Sequence, residues 1–253
     1  MKDFTLEIYK KLLNEFIFKG FRFLTFEKSL SENLQFKKII IMRHDVDRLP
    51  KNALQMAELE HKMDIKTSYY FRITSNSFDK NIIKEIASYG HEIGYHYEDL
   101  SIAKGDYNKA IELFKTNLDH FRQFFPIKTI CMHGSPLSKY DNRLIWEKIN
   151  YKDFGIIGEP YYDINFQNVG YLTDTGRKWN SSSENIRDKV DTDFTFDFNS
   201  TYEIINAVKQ NELPDTVMIN IHPQRWHNNF LRWCVELTSQ NIKNIIKRLI
   251  NRF

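Results

Sequence analysis

The chain of 253 residues is long enough for one large α/β domain with a sizeable core, and its 36 basic and 33 acidic side chains give a formal net charge of +3. This near balance argues against nucleic acid as the main partner. The only cysteines, Cys131 and Cys234, are too few for a disulfide framework and lack the spacing of a zinc knuckle, so free thiols are expected.

The amino-terminal stretch MKDFTLEIYKKLLNEF carries charges throughout and lacks the uninterrupted apolar core of a secretory signal. No segment approaches about 18 consecutive apolar residues, so no membrane-spanning helix is predicted. Together these features predict a cytoplasmic enzyme. A lipid-linked substrate would still allow peripheral contact with a membrane surface.

The first half of the chain alternates between helical and extended patterns. Apolar residues at helical spacing predict a helix over 6–19, and an apolar β-branched run from Ile39 to Met42 predicts a buried strand. A short extended segment is expected between them, over 21–26. The pattern then predicts helix 50–63, strand 66–73, helix 81–89, strand 91–97, helix 107–125 and strand 128–132.

The second half continues the alternation, with helix 142–149, strands 153–158 and 170–174, a polar loop over 180–199, helix 201–210, strand 216–221 and helix 231–252. Strands that alternate with helices predict a mainly parallel sheet. We therefore expect a single domain over 1–253, an α/β fold in which six or seven parallel strands form a (β/α) barrel and 1–36 is a helical extension packed on it. A flat doubly wound sheet is the alternative, although no glycine-rich phosphate loop follows the first strand.

Polar side chains follow several of the predicted strands. Asp45 and Asp47 end the first buried strand, and because residues two apart share a face of a strand, their carboxylates are expected side by side. Such a pair is tolerated when one carboxyl is protonated or a cation lies between them. His96, His133 and His222 each stand where a later strand stops. The carboxyl ends of the strands are therefore predicted to form the site.

Three of these segments resemble motifs of the polysaccharide deacetylase family, the NodB-homology domain of carbohydrate esterase family 4. They are Arg43-His44-Asp45-Val46-Asp47, which is similar to a spaced DxD variant, Gly90-His91-Glu92-Ile93-Gly94-Tyr95-His96, and Val217-Met218-Ile219-Asn220-Ile221-His222. They occur in the family's order between about residues 38 and 226. The resemblance implies a distorted barrel of the NodB type.

The resemblance also implies roles for individual residues. Asp45 would be the general base, Asp47 and His96 ligands of a divalent metal, and His222 the general acid. Zinc is the metal expected first, but a mixed nitrogen and oxygen site also accepts cobalt, manganese or nickel.

One position departs from the family pattern. The family's second metal histidine lies four residues after the first, where this chain has Leu100. A catalytic zinc site generally needs three protein ligands plus water. Because strand ends converge in a barrel, His133 is the preferred third ligand and Glu98 the alternative. The family's Arg-x-Pro motif is replaced by a segment that ends in Pro136.

A later segment, Thr173 to Trp179, resembles the family's Asp/Trp motif, which helps position the catalytic histidine and forms a wall of the cleft. Asp174 and Trp179 match that motif, and Arg177, Arg225 and Trp226 are further candidates for binding substrate.

Four other histidines have ordinary structural explanations. His91 at the start of a strand is expected to satisfy backbone groups, and His44 points away from the paired aspartates by alternation. His61 and His227 are expected at the surface.

These inferences predict a metal-dependent hydrolase that removes an N-acyl group, most simply acetyl, from an amino sugar. An N-acylated precursor of surface polysaccharide is the expected substrate. Two alternatives remain open: a hydrolase of another small amide, such as a cyclic amide or formamide, and a non-catalytic carbohydrate-binding barrel, which Leu100 would explain. The sequence does not identify the sugar, the acyl group, the metal or the oligomeric state.

Overall fold

The computed structural model describes residues 2–31, 38–135, 138–179 and 187–250. Pro136 and the start of the predicted polar loop, 180–186, lie outside these ranges. The helices are α1 Leu6–Phe18, α2 Phe26–Ser31, α3 Pro50–Lys62, α4 Lys80–Ser88, α5 Asp99–Ile102, α6 Tyr107–Arg122, α7 Pro160–Asp163, α8 Thr201–Gln210 and α9 Phe230–Ile250. The strands are β1 Arg22–Leu24, β2 Ile39–Val46, β3 Ser68–Phe71, β4 Glu92–Tyr97, β5 Ile130–Met132, β6 Gly170–Thr173 and β7 Thr216–Ile221.

All the strand pairings are parallel, in the order β5-β4-β3-β2-β7-β6, with β1 paired to the first half of β2. The sheet curls into a half-barrel surrounded by helices. This architecture confirms the predicted distorted (β/α) barrel, and it excludes the flat sheet.

Strand β2 is buried on both faces, as its nearly continuous apolar run predicts. Ile40 and Met42 pack with residues of α1, α3 and α8 on the outer face. Ile39 and Ile41 face inward and pack in one cluster with Tyr70. By the same alternation Asp45 belongs to the inner face, at the carboxyl end of the strand.

The inner face below the site is filled by Tyr70. Its ring lies against Gly94 of β4 so closely that a Cβ atom at that position would collide with it. The hydroxyl group of Tyr70 is 3.1 Å from Oγ1 of Thr129. The barrel is therefore packed beneath the strand ends, and the polar groups of the candidate site rest on this layer.

Glu60 of α3 joins helix α1 to the sheet in a buried polar cluster. Its carboxylate accepts hydrogen bonds from the hydroxyl groups of Tyr9, Thr67 and Tyr69 and lies 2.9 Å from Nε2 of His44. Burial opposes the charge of Glu60, but the adjacent His44 lowers its pKa to about 2. His44 therefore points away from the paired aspartates, as alternation predicts, and pairs with Glu60 instead.

The predicted strand 153–158 is wrong. Tyr151–Phe154 forms a 3-10 helix that ends at Gly155, which adopts the left-handed conformation with φ of 69°. Few residues remain before α7, and only Gly158 forms an isolated bridge, to Thr129. The predicted helix 142–149 is likewise a 3-10 helix, Asn142–Glu147. No helix within the described ranges is both long enough and apolar enough to cross a membrane.

Asp99 provides a pH-dependent contribution to stability. Burial raises its pKa to about 7, although Tyr95 and Asn117 donate hydrogen bonds to its carboxyl group. The folded protein then holds a proton that the unfolded chain releases, so this contribution is full below about pH 4 and is lost as the pH rises through about 7. Asp99→Asn is expected to flatten this decline and to raise the free energy of unfolding near pH 8 by about 1–3 kcal/mol.

Urea unfolding at mildly acidic and mildly alkaline pH measures the effect of Asp99→Asn. The exposed Asp119, on helix α6 beside Asn117, gives the matched control Asp119→Asn. Equal pH slopes for wild type and Asp99→Asn would contradict the assignment.

Candidate metal centre and active site

The carboxyl ends of β2, β4 and β5 bring three predicted metal ligands together. Oδ1 of Asp47 lies 3.4 Å from Nε2 of His96 and 3.4 Å from Nε2 of His133. One ligand atom from each residue lies within 4.8 Å of the other two. Oδ1 of Asp47 and Nε2 of His96 are buried and have no hydrogen-bond partner. Such orphaned acceptors around a common point suit a divalent cation.

The two imidazole rings are held with Nε2 toward Asp47. Nδ1 of His96 lies 2.9 Å from the carbonyl oxygen of Cys131, to which it donates when protonated. Nδ1 of His133 lies 2.9 Å from Oε2 of Glu98. A hydrogen bond at Nδ1 leaves the lone pair of Nε2 for a metal, and such contacts fix the orientation of ligating histidines.

Glu98, the alternative third ligand, is occupied elsewhere. Its two carboxylate oxygens accept hydrogen bonds from Nε and Nη2 of Arg72, each at 2.8 Å, in addition to the contact with His133. Burial opposes its charge, but His133 and Arg72 lower its pKa to about 2. Leu100, at the family's usual ligand position, is 1% exposed in the hydrophobic core. The geometry therefore favours His133 as the ligand and Glu98 as its support.

A second group, Asp45, His96 and Cys131, also has one potential ligand atom from each residue within 4.8 Å of the other two. It suits a cation less well, because burial raises the pKa of the Cys131 thiol well above its usual value. The Arg43 guanidinium lies 2.8 Å from Cys131 Sγ and 3.6 Å from Asp45 Oδ2, so a positive charge already occupies this side.

Asp47 is fixed from two further directions. Nε2 of Gln224 donates a hydrogen bond of 2.8 Å to Oδ2, and Nη1 of Arg72 donates to the backbone carbonyl at 3.3 Å. Burial opposes the charge of Asp47, but His133 and His96 hold its pKa well below the usual range. Asp47 is therefore a carboxylate with one oxygen anchored and the other directed at the histidines.

Asp45 lies beside this cluster and is 3% exposed. Its Oδ2 is 3.6 Å from Arg43 and 4.0 Å from Nε2 of His96, while its Oδ1 is buried without a hydrogen-bond partner. Arg43 also contacts Asp188, at 3.5 Å, so its charge is shared between two carboxylates. An unpartnered carboxylate oxygen beside a candidate metal site can accept a proton from water.

His222 follows β7 and pairs with Asp174, which follows β6. Nδ1 of His222 is 2.6 Å from Oδ1 of Asp174, and Trp226 Nε1 donates to Oδ2 at 2.8 Å. Arg225 Nη1 donates to Oδ1 at 2.6 Å. Burial opposes the charge of Asp174, but Arg225 and His222 lower its pKa. Asp174 therefore orients His222, and Arg225 and Trp226 orient Asp174.

The structure buries both tryptophans for which the sequence predicted a sugar-facing wall. Trp179 and Trp226 are 2% and 1% exposed and pack on Phe4, with ring centroids 6.2 and 5.1 Å apart. Arg177 is also buried, with its guanidinium 4.6 Å from the Trp233 ring centroid. These side chains meet residues distant in sequence, which local patterns do not reveal.

Two other histidines, His91 and His227, form contacts that are structural. His91 accepts a hydrogen bond from the backbone N–H of Thr67 at 3.2 Å and is structural. His227, expected at the surface, is 6% exposed, and its Nε2 lies 2.9 Å from the carbonyl oxygen of Gln224.

No family model matches the sequence, and no curated protein matches it. Among solved structures, a CE4 esterase of Streptococcus mutans is similar with a TM-score of 0.46 and 12% identity, over 87% of this chain and 86% of that one. The CE4 domain of a multidomain xylanase from the hindgut metagenome of Trinervitermes trinervoides gives 0.40 and 13%, over 83% and 85%.

A CE4 family pseudoenzyme from Bacillus anthracis is also similar, with a TM-score of 0.43 and 12% identity over 82% of this chain. This chain covers 62% of the length of the wild-type pseudoenzyme, and it covers 64% and 63% of the lengths of two of its mutants. These similar structures thus include both a CE4 esterase and a CE4 pseudoenzyme.

Replacing Glu98 with glutamine is expected to weaken binding of a divalent metal by about 10–100-fold, because the amide supports His133 less well than a carboxylate. Competition with a chromogenic chelator measures the dissociation constant. Glu92→Gln is a matched control, since Glu92 begins β4, the strand that Glu98 follows, but accepts hydrogen bonds from Ser68 and Thr129 below the site. Equal metal affinity for Glu98→Gln and the wild type would contradict the supporting role.

Proposed function

We propose that this protein is a metal-dependent amide hydrolase that removes an N-acyl group, most simply acetyl, from an amino sugar. The observation that carries the proposal is the convergence of Asp47, His96 and His133 beside the unpartnered oxygen of Asp45. The motifs resembling polysaccharide deacetylases supply the substrate class. A precursor such as a lipid-linked or nucleotide sugar is the proposed form of the substrate.

In this proposal Asp47, His96 and His133 hold a divalent ion, for which zinc is the first candidate and cobalt, manganese or nickel are alternatives. When bound, the ion lowers the pKa of water and polarises an acyl carbonyl group. The orphaned atoms of Asp47 and His96 support this donor set.

Asp45 is the proposed general base. Its Oδ1 takes a proton from the attacking water, while its Oδ2 lies 3.6 Å from the Arg43 guanidinium. The attack on the acyl carbon produces a tetrahedral intermediate whose nitrogen must gain a proton before it leaves.

His222 is the proposed general acid. Its Nε2 delivers that proton to the departing amine, while its Nδ1 keeps the hydrogen bond to Oδ1 of Asp174, 2.6 Å away. Asp174 stabilises the protonated imidazole and holds the ring toward the site, so it acts as a positioning residue.

Elemental analysis of protein purified without an affinity tag tests the proposal first. Near-stoichiometric metal and chelator-sensitive release of acetate from N-acetylated amino sugars are the expected results. The same assay with cyclic amides and formamides separates the alternative substrate class. Absence of metal after incubation with divalent ions, together with sugar binding that a chelator does not affect, would favour the non-catalytic barrel.

A further inference from the structure

The carboxy-terminal helix α9 exposes apolar side chains to solvent. Leu231, Val235, Ile242, Ile245 and Ile246 are exposed by 72%, 69%, 54%, 57% and 47% respectively. At 100° per residue these positions fall on one arc of the helix, which we call the apolar strip. A surface helix of a globular protein normally turns such a strip toward the core.

The opposite face of α9 is polar and buried. Glu236, Gln240 and Asn244 are 5%, 5% and 4% exposed. Glu236 forms an ion pair of 2.6 Å with Arg48, and Gln240 donates to Asn244 at 2.8 Å. Asn244 in turn donates to the backbone carbonyl of Gly176 at 2.9 Å. These specific contacts fix the rotation of the helix, so the apolar strip faces outward as a consequence of its own packing.

The charges of α9 indicate what covers the apolar strip. Its sequence contains four basic residues, Arg232, Lys243, Lys247 and Arg248, and a single acidic residue, Glu236, which is buried in its ion pair. Arg232 and Lys243 are exposed. An outward apolar strip accompanied by basic residues is typical of helices that lie in the interface of an anionic bilayer. A second copy of the same helix would instead bring like charges together.

We propose that the apolar strip of α9 docks this protein on an anionic lipid surface. The Ile and Leu side chains enter the boundary between head groups and acyl chains, and the exposed Arg232 and Lys243 contact lipid phosphates. Asn244 donates to Gly176, which is two residues from Asp174, so the buried face of α9 packs beside the segment that carries Asp174. Access to a lipid-linked substrate from that position rests on the proposed function, whereas docking itself does not.

Sedimentation of the full chain with vesicles tests the docking. We expect binding to vesicles of phosphatidylcholine and phosphatidylglycerol in a ratio of two to one, with at least about tenfold weaker binding to phosphatidylcholine alone. Ile242→Ser combined with Ile245→Ser is expected to lower binding by about tenfold or more. The matched control is Ile102→Ser combined with Ile157→Ser, whose isoleucines are 52% and 45% exposed elsewhere and whose loss should leave binding unchanged.

Arg232→Gln combined with Lys243→Gln should also weaken binding to the anionic vesicles, and high salt should release the wild type. Sedimentation velocity without lipid is the companion measurement, and a monomer is expected. The proposal is overturned if the wild type does not bind anionic vesicles. It is also overturned if the wild type is a dimer and the double serine variant is a monomer, since the apolar strip would then contact a second copy of the chain. Neither measurement depends on turnover, so failure of docking is distinct from failure of the hydrolase proposal.

Discussion

Asp47→Ala is expected to abolish metal binding, whereas Asp45→Asn is expected to abolish proton transfer and leave the metal bound. Asp47→Ala removes a proposed ligand, so bound metal should fall to trace levels and kcat/KM by at least about 10³-fold. Asp45→Asn leaves the three proposed ligands in place, so metal content should remain near that of the wild type. Its kcat should fall by about 10²–10⁴-fold, because the amide cannot accept the proton of water.

Elemental analysis and steady-state kinetics on an N-acetylated amino sugar measure both variants. The exposed Asp64, which follows helix α3, provides the control Asp64→Asn, expected to match the wild type in both. Loss of metal from Asp45→Asn would instead place Asp45 in a ligand set with His96 and Cys131, whose potential ligand atoms lie within 4.8 Å of one another and of Asp45. Full activity of metal-free Asp47→Ala would exclude a metal-dependent reaction.

Two general rules of β-sheet geometry are sufficient to predict that the proposed ligands lie close together. Asp45 and Asp47 were assigned to one face because side chains alternate along a strand. The carboxyl ends of parallel strands lie at the same edge of a sheet, and this rule placed His133 of one strand near His96 of another. Leu100 lies in helix α5 and is buried in the hydrophobic core, so the proposed third ligand comes from a strand end instead.

The supports of the site were harder to predict. Arg43 could have been found, because it lies two residues before Asp45 on the same face of β2. Gln224 could not, since it follows β7 in a 3-10 helix whose path alone brings its amide to Asp47. Arg72 and Glu98 form a pair that joins the ends of two strands. From the sequence alone, a carboxylate near a histidine is equally consistent with a metal ligand and with a residue that supports the ligand.

Packing between distant segments also limited the sequence analysis. Trp179 and Trp226 follow strands and stand beside basic residues, which is the local pattern of a sugar-binding wall. Phe4, far away in sequence, covers both rings. The orientation of α9 also depends on segments distant in sequence, because Glu236 pairs with Arg48 and Asn244 donates a hydrogen bond to the backbone of Gly176.

Asp174→Asn is expected to lower kcat by about 10²-fold or more, because a neutral amide stabilises the protonated His222 less and holds its ring less firmly. The distinguishing result is a pH profile. The proposed general acid must be protonated, so the alkaline limb of kcat/KM should move to lower pH in Asp174→Asn and should disappear in His222→Gln.

Metal content should be unchanged in both variants, since neither Asp174 nor His222 belongs to the proposed ligand set. His61→Gln, at an exposed histidine, is the control and should keep the wild-type profile. A lower kcat with an unmoved alkaline limb would show that Asp174 only maintains the fold around Arg225 and Trp226. A retained limb in His222→Gln would assign the proton of the leaving amine to a group other than His222.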